Sequence, residues 1–242
     1  MRFDLHIHTC YSYDSHLSLE RLTLAVLRKG LDGIAVLDHD EIEGALRLRE
    51  KAPFQVVVGE EIGSLHGGIG ALFIEKRIPA HLTADETIAR IHEQGGLVLI
   101  PHPLSRAVPG RIDEHELYDI MSQVDVIEGY NARAPRPADD RRARHLALQY
   151  GLPLTAGSDA HFAWEVGRAY TEMASFASPA QFLDSLRGAT LRFGRKTPVV
   201  FPLLTVAVMI PCLGAQRGLL RFVRRSTCQP GGPAAPPASK PA

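Results

Sequence analysis

The sequence predicts an α/β barrel, and three observations carry this prediction. Short β-like runs alternate with helix-like stretches over most of the 242 residues. Strands that regularly alternate with helices indicate a parallel sheet, and about seven such units fit a barrel better than two separate domains. Residues capable of binding metal repeatedly follow the strands, and in a parallel barrel the carboxyl ends of all strands open onto one face.

The predicted elements alternate in order along the chain. The strands are Phe3–His8, Gly33–Leu37, Gln55–Glu61, Ile69–Glu75, Leu97–Ile100, Asp125–Glu128 and Leu154–Ala156. The helices are Ser18–Lys29, Ile42–Lys51, Ala84–Gln94, Glu114–Ser122, Ala138–Tyr150 and Pro179–Leu186. Ser18 can cap the first helix and Gly30 can end it, while Thr83 and Glu86 form a capping-box pattern. A Rossmann fold competes, but no strand is followed by GxGxxG.

Composition and charge narrow the class of protein. The 27 basic and 27 acidic residues give a net charge of zero. This balance removes the simplest argument for binding long nucleic acid, but a short nucleotide or a phosphorylated metabolite remains compatible. Cys10, Cys212 and Cys228 form neither a visible disulfide framework nor a CxxC zinc site, so a reducing compartment fits best. No signal-peptide pattern opens the chain, and the expected location is cytoplasmic.

The first predicted strand carries two histidines that are two residues apart. Residues at this spacing point to the same side of a strand, so Asp4, His6 and His8 share one face. Two imidazoles on one face form a suitable metal-binding pair, and Asp4 could orient one of them through a hydrogen bond. The alternative is a pair of core histidines bonded to backbone carbonyls. We favour metal binding because the two rings lie side by side.

Four further strands end in histidine or carboxylate side chains. His39, between Asp38 and Asp40, suits a metal ligand or a general base, although Asp40 could instead cap the next helix. Only one of Glu60 and Glu61 can face the site, because neighbouring residues on a strand alternate. The other candidates at strand ends are His102, Asp159 and His161. Together they are enough for at least two divalent cations, each with about three or four protein ligands.

Five short motifs therefore follow one another in order. They are Asp4-x-His6-x-His8-Thr9, Asp38-His39-Asp40, Gly59-x-Glu61-Ile62, Pro101-His102-Pro103 and Gly157-Ser158-Asp159-Ala160-His161. In this order they resemble the motifs of the PHP (polymerase and histidinol phosphatase) family over about residues 1–195. The resemblance implies a distorted TIM-like (β/α)7 barrel that binds two or three divalent metal ions, such as manganese, iron, zinc or magnesium.

The resemblance also implies a set of metal-binding residues. They are His6, His8, Asp14, His39, Glu61, His102, Asp159 and His161. Asp14 alone would be a turn residue, and only the resemblance includes it. Relatives of this compact type often have a histidine where this chain has Gly68, so one ligand is expected to be missing unless His66 replaces it.

The activity that the resemblance implies is hydrolysis of phosphate esters of small molecules or nucleotides, by attack of a metal-bound hydroxide. His39 or Asp40 is expected to assist proton transfer. Arg133 and Arg168 are candidates for binding the phosphate, the alternative for each being a solvated surface position. Two other functions stay open: an exonuclease that trims short RNA or DNA ends, and a catalytically silent metal-binding module. No protein partner is evident.

The C-terminal part of the chain changes in composition. Residues 1–195 are predicted to form the phosphoesterase domain, residues 196–225 an apolar and basic segment, and residues 226–242 a disordered tail rich in proline and alanine. Residues 198–216 contain no charged side chain, and such a run reaches the lower limit for a membrane helix. Prolines interrupt it, so we favour a buried or amphipathic terminal segment over a membrane anchor.

Overall fold

The alternation of strands and helices is confirmed in a computed structural model, which describes residues 1–198. The strands are β1 (Arg2–Ile7), β2 (Gly33–Val36), β3 (Gln55–Ser64), β4 (Gly67–Leu72), β5 (Leu97–Ile100), β6 (Val126–Asn131), β7 (Leu154–Gly157), β8 (Ala169–Glu172) and β9 (Thr190–Phe193). The helices are α1 (Leu19–Lys29), α2 (Glu43–Lys51), α3 (Ala84–His92), α4 (Glu114–Ile120), α5 (Pro137–Tyr150) and α6 (Pro179–Arg187). The predictions for residues 199–242 lie outside the described residues.

The first seven strands follow one another around a barrel in chain order. Together with β8 and β9 they form one nine-stranded sheet in the order β7-β6-β5-β4-β3-β2-β1-β8-β9. Ile7 at the end of β1 forms a parallel bridge with Ala160 beyond β7. Next to this bridge His8 N donates to Ala160 O at 2.9 Å, and Asp159 N donates to His6 O at 2.8 Å. The sheet therefore nearly closes on itself, which confirms the distorted TIM-like barrel.

One expectation about the sheet is wrong, because it is not parallel throughout. β4 lies antiparallel to both β3 and β5. Only Leu65 and His66 separate β3 from β4, and a parallel pair needs a crossover of about a dozen residues or more. β8 and β9 also run antiparallel, beside β1. Sequence analysis does not predict these two strands, which have only four residues each; β9 is mostly exposed.

Alternate residues of the strands pack into two apolar layers. On β2, Ile34 and Val36 belong to the cluster that contains the buried faces of α1, α2 and α3. Ala35 and Leu37, one position out of phase, pack in a second cluster with Phe182 of α6. All five side chains are fully buried. This two-residue period leaves a rigid frame from which the polar residues at the strand ends project.

The helix ends follow the signals present in the sequence. Ser18 Oγ accepts a hydrogen bond from Arg21 N at the start of α1. Gly30 ends that helix at φ 62°, a left-handed conformation that suits glycine. The Thr83 and Glu86 side chains form the predicted capping box of α3. These local signals fix where each helix begins relative to the strand before it.

The chain beyond β9 packs back against the end of β6. Thr197 is buried, and its N–H donates to Ala132 O at 2.7 Å. Packing therefore continues past the boundary predicted at residue 195. Within residues 1–198, no helix is long and apolar enough to cross a membrane. Cys10 is the one cysteine within residues 1–198, so the expectation drawn from the spacing of all three cysteines lies outside the described residues.

Candidate metal centre

The structure brings together all eight residues of the expected metal-binding set at the carboxyl ends of the barrel strands. They form three overlapping groups, and within each group the candidate ligand atoms lie within 4.8 Å of one another. The groups are His8, Asp14, His39 and His161; His6, His8 and Glu61; and His6, His102 and Asp159. Seven of these residues are buried and His39 is partly exposed, so the centre is accessible from one side.

Four side-chain atoms converge in what we call the central site, formed by His6, His8, Glu61 and Asp159. The Nε2 atoms of His6 and His8 are 3.1 Å apart. Glu61 Oε2 lies 3.2 Å from His6 Nε2 and 3.4 Å from His8 Nε2. Asp159 Oδ1 lies 3.4 Å from His8 Nε2. The two imidazole nitrogens are buried and point toward each other and toward two carboxylates. This arrangement fits a divalent cation placed between the four atoms.

A second group, the outer site, is formed by Asp14, His39 and His161. Asp14 Oδ2 lies 2.9 Å from His161 Nε2 and 3.4 Å from His39 Nε2. His161 Nδ1 lies 2.9 Å from the carbonyl oxygen of Asp159. A hydrogen bond from Nδ1 to this carbonyl leaves Nε2 unprotonated, which is the form that binds a metal ion. The outer site therefore offers three ligands, and the partly exposed His39 lies on its open side.

A third position beside Glu61 adds only His102 to the ligands of the central site. His102 Nε2 lies 3.4 Å from Glu61 Oε1, the oxygen that faces away from the central site. A Cβ atom at Gly68 would lie 2.9 Å from the same oxygen, too close unless Glu61 shifts, so a side chain at residue 68 would contact this pair directly. His66 does not replace it. Its Nδ1 lies 3.2 Å from Glu116 Oε2, and its side chain is 40% exposed.

Two residues that sequence analysis does not assign, Glu128 and Asn131, hold several of the ligands in place. Glu128 Oε1 lies 3.1 Å from His6 Nδ1, and Oε2 accepts a hydrogen bond from His102 N at 2.7 Å. Asn131 Nδ2 donates to Glu128 Oε2 at 2.9 Å and to Asp159 Oδ2 at 3.3 Å. Both residues are buried on β6, Glu128 in the middle of the strand and Asn131 at its end. Glu128 ends the strand predicted from the sequence, and this position, like that of the other site residues, is the signal that could have identified it.

Two aspartates that the sequence places at the site bind backbone N–H groups instead. Asp4 accepts from Ser158 N and Gly167 N, both at 2.8 Å, so it does not orient a histidine. Its burial raises its pKa to about 7. Asp40 does not cap α2, because Oδ1 accepts from Gly63 N at 2.8 Å. Both carboxylates tie together the loops around the centre.

Opposite charges keep the ligand carboxylates ionised despite their burial. For Asp14, burial alone would raise the pKa, but the charges of His161 and His39 hold it well below its usual range. For Glu61, burial alone would likewise raise the pKa, but the charge of His39 and a hydrogen bond with His102 lower it well below its usual range. His39 shows the reverse effect: burial would lower its pKa, but Asp14 and Glu61 raise it to about 10. The carboxylates are therefore available in their ionised form as ligands for cations.

Backbone strain coincides with the ligands. His102 and Asp159 have φ values of 31° and 53°, in the left-handed region that residues with a Cβ seldom adopt. Such conformations cost on the order of 1–3 kcal/mol each and persist where surrounding contacts hold them. Here the Glu128 carboxylate binds His102 N, and Asp159 N donates to the end of β1. The fold thus maintains two strained ligands at the same centre.

Arg133 lies beside the outer site. Its side chain is 5% exposed, with Nε 3.5 Å from Glu165 Oε1, so it is not a solvated surface residue. Glu165 Oε2 also accepts a hydrogen bond from His161 N at 2.8 Å. Burial and the positive charges of His8 and Arg133 lower the pKa of His161, against the effect of Asp14. A buried guanidinium next to the ligands is well placed for an anionic group.

Arg168 is not brought to the metal centre. Its guanidinium carbon lies 4.6 Å from the centroid of the Trp164 ring, and Nη1 donates to the carbonyl oxygen of Arg195 at 3.2 Å. These contacts place Arg168 in a separate pocket, whose lining residues include none of the eight candidate ligands.

Comparison with known proteins agrees with this geometry. A sequence profile described as PHP domain matches residues 4–96, and one described as PHP-associated matches residues 137–191. An uncharacterized protein of Methanocaldococcus jannaschii, MJ0417, is 31% identical over 197 residues, which span 77% of this chain and 79% of that protein.

Two solved structures share the fold. A two-domain protein from Bacteroides vulgatus, described as containing a predicted PHP-like metal-dependent phosphoesterase, has a TM-score of 0.65 at 18% identity, over 84% of this chain and 69% of that one. PsfC from Pseudomonas syringae has a TM-score of 0.61 at 20% identity, over 89% of this chain and 99% of that one. The matched profiles, the identity to the archaeal relative and the ordered motifs lead to one conclusion: this chain belongs to the PHP family.

Proposed function

We propose that this protein is a metal-dependent phosphoesterase that hydrolyses phosphate esters of small molecules or nucleotides. The observation that carries the proposal is the convergence of the central and outer sites, with the Arg133 guanidinium buried beside them. A cation-binding centre next to a fixed guanidinium matches the negative charge that phosphoryl transfer develops. The Bacteroides vulgatus protein of the same fold, described as a phosphoesterase, supports this choice.

We assign two divalent ions to the centre. One would be held by His6, His8, Glu61 and Asp159, and the other by Asp14, His39 and His161. When bound, such ions lower the pKa of water and stabilise negative charge on the phosphate. The mixture of imidazole and carboxylate ligands suits manganese, iron or zinc, with magnesium less favoured. The third group, His6, His102 and Asp159, shares two residues with the central site, so we assign no third ion to it.

The other residues of the centre orient ligands and substrate. Glu128 fixes the ring of His6 through Nδ1, a contact that directs Nε2 to the central site. Arg133 would bind phosphate oxygens through its planar guanidinium. Of the two residues expected to assist proton transfer, Asp40 is bound to Gly63 N, and His39 is assigned to the second ion through Nε2. We therefore assign the proton-transfer role to neither residue.

A metal-supplemented substrate screen tests the proposal. Purified protein would be assayed against phosphomonoesters, cyclic nucleotides, nucleoside bisphosphates and short oligonucleotides, so that exonuclease activity appears as a separate outcome. His8→Ala and Asp159→Ala should each abolish phosphate release, because each removes a ligand of the central site. His66→Ala is the matched control, since His66 pairs with Glu116 away from the centre. Full hydrolysis by His8→Ala would rule out the proposed site.

A further inference from the structure

A second concave surface, the basic pocket, lies apart from the metal centre. It has a volume of about 490 Å³ and lies between the end of α1, the segment after His161, and the start of β8 and end of β9. The residues that matter for its chemistry are Lys29, Trp164, Arg168, Arg192, Phe193 and Arg195.

The charged side chains that line the basic pocket are all positive. Four cationic side chains line it and no lining residue is acidic, although the whole chain has a net charge of zero. Arg192 is partly neutralised, because its Nε lies 2.7 Å from Glu172 Oε2. Within residues 1–198, no carboxylate forms an ion pair with Lys29, Arg168 or Arg195. Such a surface attracts an anion with more than one charge.

Two of these cations are held in place. Arg168 stacks over Trp164, and its Nη1 donates to the carbonyl oxygens of Arg195 and Lys196 at 3.2 and 3.3 Å. A Cβ atom at Gly167 would lie 3.3 Å from Lys29 Cγ, so the lysine stem lies close against this backbone. Gly167 has a φ of 72°, which favours glycine here. Because these groups are already ordered, binding an anion costs less conformational entropy.

Aromatic rings border the same cations. Trp164 is 37% exposed and Phe193 is 52% exposed. Phe193 is fixed by stacking on Tyr130, with ring centroids 4.2 Å apart and an interplanar angle of 11°. Exposed rings beside arginines provide both a stacking surface for a planar base and donors for phosphate oxygens.

We propose that the basic pocket is a second ligand site that binds a nucleoside phosphate, with the phosphates on the arginines and the base on an exposed ring. The ligand chemistry is the same for a free nucleotide and for a nucleotide unit of a short single strand. The site is separate from the metal centre, so the proposal does not depend on the proposed catalytic activity.

The only tryptophan of the chain, Trp164, provides a direct readout of the pocket. The full chain carrying His8→Ala, in chelator, would be titrated with ADP, pyrophosphate, adenosine and a short oligothymidylate while tryptophan emission and binding heat are measured. We expect saturable ADP binding, about tenfold or more weaker binding of adenosine and of pyrophosphate, and a similar loss for ADP in Arg168→Met and in Arg195→Ala.

Matched controls separate the pocket from general charge effects. Arg187→Ala removes an exposed arginine that pairs with Asp184 and does not line the pocket, so it should leave ADP affinity unchanged. Tighter binding of the oligothymidylate than of thymidine monophosphate would identify a nucleic-acid strand as the source of the ligand; the reverse would identify a free nucleotide. Absence of saturable ADP binding, or equal affinity in Arg195→Ala and Arg187→Ala, would overturn the proposal. Equal affinity for pyrophosphate and ADP would also overturn it, because the base would then contribute nothing.

Discussion

Replacing Lys196 with methionine tests how the chain beyond β9 supports the metal centre. Lys196 Nζ donates to Asn131 O at 2.7 Å and to Asp140 Oδ2, and it lies 3.9 Å from the centroid of the Tyr130 ring. Asp140 Oδ1 in turn accepts from Asn131 N. The Lys196–Asp140 pair thus binds both the backbone N–H and the backbone carbonyl of Asn131. The side-chain amide of Asn131 in turn donates to Glu128 and Asp159.

The magnitude of the effect follows from the burial of this pair. The Lys196 and Asp140 side chains are only 17% and 6% exposed. Burial raises the pKa of Asp140 and lowers the pKa of Lys196, and in both cases it outweighs the attraction between the two charges. The intact pair therefore contributes little net stability. Lys196→Met leaves the Asp140 carboxylate buried without its partner, and we expect a loss of about 3 kcal/mol.

This loss depends on pH with a defined sign. Without the lysine, the folded-state pKa of Asp140 rises further above its unfolded value. Protonation of Asp140 then removes the unpaired charge. The destabilisation is therefore greatest at pH values above the raised folded-state pKa, and it decreases as the pH falls toward the unfolded-state pKa of Asp140. For a domain of this size, the loss at neutral pH corresponds to a fall in Tm of roughly 6–12 °C.

Equilibrium urea unfolding of the full chain measures the effect, and a double variant controls for it. Lys196→Met with Asp140→Asn removes both charges and keeps an oxygen for Asn131 N, so we expect a loss of about 1 kcal/mol or less. A loss of less than about 1 kcal/mol in the single variant, or equal losses in both variants, would show that Asp140 does not depend on Lys196.

Three further changes test other parts of the structure. Glu128→Gln removes the charge beside His6 Nδ1 and should weaken metal binding about 10- to 100-fold in a chelator competition, with an unchanged circular dichroism spectrum; unaltered affinity would contradict the orienting role. Gly68→His supplies a side chain toward Glu61 Oε1 and should add about one equivalent of bound metal by elemental analysis, whereas unchanged metal content would argue against the incomplete third position. Ser18→Ala removes the cap of α1 and should lower the free energy of unfolding by about 1 kcal/mol; no measurable loss would mean that the cap is dispensable.

The features that the sequence predicts correctly depend on short-range geometry. His6 and His8 share a face because side chains alternate along a strand, wherever that strand lies in the barrel. The same alternation separates Glu61 from Glu60. Glu61 faces the centre, whereas Glu60 Oε2 accepts from Ile78 N, and burial raises the pKa of Glu60 to about 8.

The contacts that residue patterns alone do not indicate depend on long-range closure of the barrel. Glu128 meets His6 across 122 positions of the chain, a contact that depends on the closure of the barrel between β1 and β7. Asp14, which the family resemblance predicts, is at the centre because its loop folds back on His161, and its residue type alone indicates only a turn. The burial of Arg133, a predicted phosphate ligand, likewise depends on Glu165 in a separate loop. No local pattern indicates which of these residues contact one another.

A titration of chelator-treated protein with manganese tests whether the buried histidines and carboxylates form a metal-dependent phosphoesterase centre. Bound metal and phosphate release from the best substrate of the screen are followed together. We expect no release without metal and a rise that levels off at about two equivalents. Equal release before and after metal removal, or no release at any metal loading, would show that this centre is not a metal-dependent phosphoesterase.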